Sequence, residues 1–390
     1  MLASLNSMRV LAEFWVVHFH IAPTHPVLKI FVYDLMSFFF VLSGFVLTHT
    51  HQHNDLSTWA AKRAFWWRRW SKTYPLFFMF WTFSLVNALA NGHLPESTCC
   101  WVQLVFFDGW IHCDFLDIFN APSWYISALA WAWLWFPWLL PTLCRAASTV
   151  GPWILMTCLW AIALGTNTAM LSQGLIYGYS FPGLRIFEFA IGCVAATTIH
   201  TRLHWLLAVG PALLLLACYA TMFSFSLGRD DAYARTEFYW AVPDSFGSVY
   251  KWYTAFVTKT ALVWAALIHW LATSELLGHS HWLSATLRDS PILHTLSDFS
   301  LHLYLGHQNV FMVAKDATRL TIGPVGLHML FLVVYGSCYL FYVYIQPLLD
   351  RSVQALGNGV SQWSSLSRAP TPTPSPPPTD RPSAAPTTDC

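Results

Sequence analysis

Ten apolar stretches long enough to cross a bilayer dictate what this chain can fold into. They fall near residues 8–23, 27–49, 73–91, 122–142, 152–170, 178–199, 204–226, 252–273, 292–314 and 325–347. A hydrocarbon core about 30 Å thick is spanned by roughly 20 apolar residues in a helix, which satisfies its own backbone groups. The expected fold is therefore all-α: a polytopic integral membrane protein with about ten transmembrane helices. Composition agrees, since 10% of residues are charged against about a quarter in soluble chains. A net charge of +1 offers nucleic acid no basic surface and leaves the lipid bilayer as the expected surrounding.

Charge in the connections sets the expected orientation. The segment after the second run holds Lys62, Arg63, Arg68, Arg69 and Lys72, the densest basic cluster of the chain, and reads as a cytoplasmic loop. Counting outward, both termini are expected in the cytoplasm, with loops 92–121 and 227–251 on the opposite side. Residues 1–350 form the expected membrane domain and 351–390 a disordered, Pro/Ser/Thr-rich cytoplasmic tail. Cys99, Cys100 and Cys113 share the loop 92–121 and supply a disulfide if that side is oxidising, with the pairing open.

Ionisable residues inside apolar helices are costly and mark function. The first run carries Arg9, Glu13, His18 and His20. At ~100° per residue, His20 returns to within ~20° of the azimuth of Arg9, ~16 Å further along the helix. Arg185 and Glu188 are three apart, so they pair on one helical face. The ninth run holds Asp298, His302, Tyr304 and His307, too polar for a lipid-facing helix. Measured from the cytoplasmic ends, His20, Ser127, Glu188 and His307 lie roughly 15–25 Å deep, which predicts one buried polar cavity. His49, His51 and His53 alternate, and an extended strand would put them on one side. No other metal-ligand spacing occurs, and no metal site is assigned.

These stretches together resemble the acyltransferase family 3 membrane proteins, which acylate sugars, lipids and other hydroxyl-bearing acceptors. Leu5, Arg9, Ala12, Val16, Val17, Phe19 and His20 resemble the first-helix pattern of that family, with its arginine, ten residues, then histidine. Phe39, Phe40, Leu42, Ser43, Gly44 and Phe45 resemble its F-F-x-L-S-G-F. Arg69, Lys72, Tyr74 and Pro75 resemble its basic R-x-x-R-x-Y-P. Arg185, Glu188, Phe189 and Gly192 resemble the sixth-helix motif, and Ser300, Leu303, Tyr304, Leu305 and His307 the ninth. Trp124, Ser127, Phe136 and Pro137 fit the fourth, but Leu129 stands where a carboxylate is expected. Asn6, Ser7 and Gly306 replace a usual aspartate, glycine and tryptophan.

The resemblance implies acyl transfer from cytoplasmic acyl-coenzyme A, a co-substrate rather than a bound cofactor, to an acceptor hydroxyl. His20 then acts as general base or transient acyl carrier. Arg9, Arg69 and Lys72 bind the phosphates of the coenzyme. Ser127, Arg185, Glu188, Tyr304 and His307 line the cavity. The same polar face also fits a transporter or channel for protons or a small anion, or a relative that has lost catalysis. The sequence names no protein partner.

Overall fold

A computed structural model describes residues 2–21, 26–92, 98–111, 113, 119–172, 179–199, 213, 216, 257–278, 282–318 and 324–366. The expected span 204–226, the loop 227–251 and the tail beyond 366 lie outside them, apart from two isolated positions. Among the described residues the fold is helical, with no strand. Helices α1 (Ala3–Ile21), α2 (Pro26–His51) and α3 (Trp59–Ala90) are followed by the short α4 (Thr98–Val102). Then come α5 (Trp124–Val150), α6 (Pro152–Ser172), α7 (Pro182–Thr197) and α8 (Ala261–Leu276). Two short helices, α9 (Trp282–Asp289) and α10 (Pro291–Asp298), lead into α11 (Ser300–Thr318). Helix α12 (Pro324–Leu340) passes through a π-helical turn, Phe341–Ile345, into α13 (Gln346–Leu366).

Four described segments, Trp59–Ala90, Ala121–Val150, Pro152–Met170 and His328–Gly357, are long and apolar enough to cross a membrane. They mark a membrane protein. Several of the others are shorter or carry the polar groups described below, which lowers their hydropathy.

Three expectations change. The basic segment is not a loop: Lys62 to Lys72 lie in the first turns of the 32-residue α3, since Lys and Arg are good helix formers. Thr58 caps that helix, its side chain accepting from the amide of Ala61. Helix α2 continues to His51, so the three alternating histidines do not share an extended strand. The His51 ring packs against Phe65 and Phe136, and the His49 ring stacks on Phe45. Finally, the stretch from 351 expected to be disordered is helical as far as Leu366.

The core forms around the crossing of α2 and α7. Gly44 of α2 lies against the backbone of Phe189, and Gly192 of α7 lies against the backbone of Val41 and Phe45. Small residues on both helices let two backbones touch, the usual device where lipid supplies no hydrophobic drive between helices. Phe38, Phe40, Phe45, Phe136 and Phe189, each fully buried, fill the space around the crossing. The start of α1 is held by Glu275, whose carboxylate accepts from Ala3 N, Ser4 N and Ser4 Oγ at 2.9, 2.9 and 2.6 Å. A carboxylate there satisfies the orphan amides and complements the helix dipole.

The segment between α3 and α5 folds back into the bundle. Trp81 Nε1 donates to Cys100 O, Tyr74 Oη to Leu104 O and Trp131 Nε1 to Phe106 O. A Cys99–Cys113 disulfide closes it, leaving Cys100 as a buried thiol. Ser127 Oγ donates to Asp108 Oδ1 at 2.6 Å. Burial pushes the Asp108 carboxyl up to about 6, although that hydrogen bond pulls the other way. A carboxyl raised in the folded state adds stability below pH ~4 that is lost as pH rises through ~6, of order 3 kcal/mol. Asp108→Asn keeps an acceptor for Ser127 without the charge. Its melting temperature should equal wild type near pH 4 and exceed it above pH 6; a gap that ignores pH would contradict this assignment.

Candidate active site

The register of α1 against α11 builds the site. Arg9 Nη2 donates to Ser297 O at 3.1 Å, Glu13 lies beside Ser300, and His20 Nδ1 lies 3.0 Å from His307 Nε2. The offset between partners stays at 287 or 288 residues along all three rungs. The helices therefore run parallel, in register, with one polar face turned to the other. Positions 9, 13 and 20 recur on one side of α1, as 300, 304 and 307 do on α11.

Donor and acceptor roles in the histidine pair follow from their neighbours. His307 Nδ1 lies 2.8 Å from Tyr304 O and 3.1 Å from Leu303 O. Carbonyls only accept, so Nδ1 carries the proton and, in the neutral ring, Nε2 is bare. His20 Nδ1 must then donate to that Nε2, and His20 is left with its own Nε2 lone pair uncommitted. The arrangement holds one imidazole as a base through a second imidazole fixed by backbone, as second-shell groups fix a histidine tautomer elsewhere.

A second layer faces the pair. Tyr304 Oη donates to Pro122 O at 2.9 Å, and its ring lies 5.4 Å from that of Tyr125. Tyr125 Oη is 3.0 Å from Ser43 Oγ. Beyond them Arg185 is fully buried: Nη1 meets Glu188 Oε2 at 2.8 Å, and Nε donates to Tyr179 O at 2.7 Å. The rings of Tyr179, Phe40 and Trp124 enclose its guanidinium at 4.9, 5.3 and 5.6 Å. Ser37 Oγ donates to Glu188 Oε1 at 2.6 Å.

The structure thus brings together His20, Tyr304 and His307, with Arg9 on the same face of α1 and Arg185–Glu188 behind the tyrosines. It does not add Ser127, whose hydroxyl faces Asp108. Two residues along a helix turn a side chain by ~200°, so with Tyr125 toward Tyr304, Ser127 points away. Arg69 lies over the Phe65 ring at 5.8 Å, in the first half of α3 with Lys72, rather than beside Arg9. Leu129, one turn past Tyr125, is buried among apolar neighbours. Sequence reading missed a second buried ion pair, Lys259 with Asp34 at 3.3 Å. Its signal was available as two opposite charges inside separate apolar runs, but nothing local joined them.

Comparison with known proteins matches residues 2–345 to the acyltransferase domain of acyltransferase family 3. The chain belongs to this family. It is an acyltransferase. Acyltransferase MdmB of Streptomyces mycarofaciens is 28% identical over 313 residues, covering 75% of this acyltransferase and 70% of that protein. No solved structure matches.

Proposed function

We propose that this acyltransferase moves an acyl group from acyl-coenzyme A to a hydroxyl of a carbohydrate, lipid or small-molecule acceptor. The observation that carries the reading is the uncommitted Nε2 of His20, set by His307. That nitrogen takes the proton of the acceptor hydroxyl as its oxygen attacks the thioester carbonyl. The carbon–sulfur bond then breaks, and the imidazolium returns the proton to the departing thiolate. Tyr304, beside the histidine pair, orients the acceptor, and Arg185 with Glu188 supports the tyrosine layer from behind. Arg69 and Lys72, in the first half of α3, meet the phosphates of the coenzyme.

The donor enters from the cytoplasm in this reading, at the end of the bundle where α1 and α3 begin. The basic start of α3 supports that orientation. So does the Cys99–Cys113 disulfide at the far end of α3, because disulfides persist in oxidising compartments. Ten spans and two cytoplasmic termini complete the proposed topology. Membranes expressing the protein, given radiolabelled acetyl-, butyryl- or palmitoyl-coenzyme A, should move label into an extractable acceptor. Failure with all three donors would rule out coenzyme A thioesters as the acyl source.

A further inference from the structure

Two polar atoms on the face of α1 are buried and unused by the scheme above. Among the described residues Arg9 Nε and Glu13 Oε1 have no hydrogen-bond partner, and Glu13 is only 3% exposed. Arg9 is tied to Ser297 O through Nη2, and Glu13 sits beside Ser300, so both side chains are held in place with one atom spare. Each such orphan costs about 1–3 kcal/mol, more for a charged group, unless a ligand satisfies it. What is spare is one N–H donor and one carboxylate acceptor, a turn apart. A phosphate offers acceptors only, so it would leave Glu13 Oε1 without a donor. A secondary amide offers one C=O and one N–H, which match Arg9 Nε and Glu13 Oε1.

We propose that Arg9 and Glu13 bind the inner amide of the pantetheine arm, the second amide counted from the sulfur. This rests on acyl-coenzyme A being the donor. Spacing selects that amide. Glu13 and His20 are seven residues apart on one face, ~10 Å along the helix. From the thioester sulfur to the second amide carbonyl there are eight bonds, which in an extended chain rising ~1.2 Å per bond also span ~10 Å. With the acyl carbon at His20, the second amide therefore lies level with Glu13. The first amide lies about halfway, level with Val16 and Val17, whose buried side chains offer no polar group. Arg9 on this assignment reads the arm rather than the phosphates, which are left to Arg69 and Lys72.

Two uncharged donors separate the effects: acetyl-pantetheine carries both amides, and the acetyl thioester of N-acetylcysteamine carries only the first. Neither has phosphates, so the cationic mouth drops out of the comparison. The measurement is kcat/KM for thiol release with each donor, in wild type, Glu13→Ala and Glu13→Gln. The wild type should favour acetyl-pantetheine. In Glu13→Ala that preference should shrink about 10–100-fold, the worth of one hydrogen bond to a charged group, and Glu13→Gln, which keeps an acceptor oxygen, should restore part of it. Equal loss on both donors would mean a structural role for Glu13 and overturn the assignment, as would an unchanged preference. A wild type inert with acyl-coenzyme A itself, while transferring acyl groups from a donor without a pantetheine arm, would remove the coenzyme A reading and this one with it.

Discussion

Replacing His307 with alanine should cost nearly as much activity as replacing His20 itself. A positioned general base contributes about 10²–10⁴-fold, so His20→Ala is expected to lose that much. His307 takes no proton from substrate in this scheme; it is a positioning residue. Yet among the described residues it alone gives His20 Nδ1 a side-chain acceptor, at 3.0 Å, and its own tautomer is fixed by Leu303 O and Tyr304 O. Without it, only the Val16 carbonyl one turn back is left to hold the proton on Nδ1, and His20 more readily protonates on Nε2, the nitrogen that must be bare. In serine proteases, presenting the wrong histidine tautomer costs about 10⁴-fold with the geometry intact. Because the two imidazoles act as one unit, the double variant should be scarcely slower than either single one. His307→Gln offers an amide oxygen to Nδ1 and should recover part of the rate, which a mere packing role would not give. Single-turnover acyl transfer in purified protein measures all four variants. Multiplicative losses in the double variant would mean that the histidines act separately.

What was legible in the sequence was local and periodic. Arg185 and Glu188 stand three apart, and the pair forms as helical geometry requires. The shared azimuth of Arg9 and His20 is likewise a property of one helix: Arg9 meets Ser297 at the end of α10, and His20 meets His307 of α11. Partners distant in sequence left no trace. Asp34 and Lys259 belong to different apolar runs, and Asp108 reaches Ser127 only because the segment before α5 folds back into the bundle. Depth alone misplaced Ser127, since residues at one level still face different ways around a helix. The end of α13 was misplaced for a compositional reason: the proline-rich run begins only at Pro370, and the helix runs on through Gly357, Asn358 and Gly359 to Leu366. The contact of Arg9 and Glu13 with the chain around Ser300 joins these two cases. Its residues on α1 follow the helical period, whereas the in-register partner on α11 is set by tertiary packing.

Gly44→Leu should leave no monodisperse protein, and even Gly44→Ala should melt far below wild type. A Cβ at Gly44 would overlap the carbonyl of Phe189, and one at Gly192 would overlap the carbonyl of Val41. Both obstacles are backbone, so no rotamer change can make room and the helices must separate. Overpacking a core by a methylene or two costs about 1–3 kcal/mol when side chains can shift; backbone against backbone should exceed that range. The separation also reaches the chemistry. Helix α7 carries Arg185 and Glu188 against Ser37 of α2, and Ser43, next to Gly44, meets Tyr125. Moving α7 outward breaks the buried Arg185–Glu188–Ser37 network, and loss of a partner from such a pair costs about 3–5 kcal/mol. Gly165 is the control, since it lies in α6 with nothing within 4 Å of an added Cβ. There alanine should raise stability by about 0.5–1 kcal/mol, because glycine is the poorer helix former. Thermal melts with size-exclusion profiles in one detergent compare the two sites directly. If Gly44→Ala melted with wild type while Gly165→Ala behaved as expected, the α2–α7 backbone contact would not be the element that holds this bundle together.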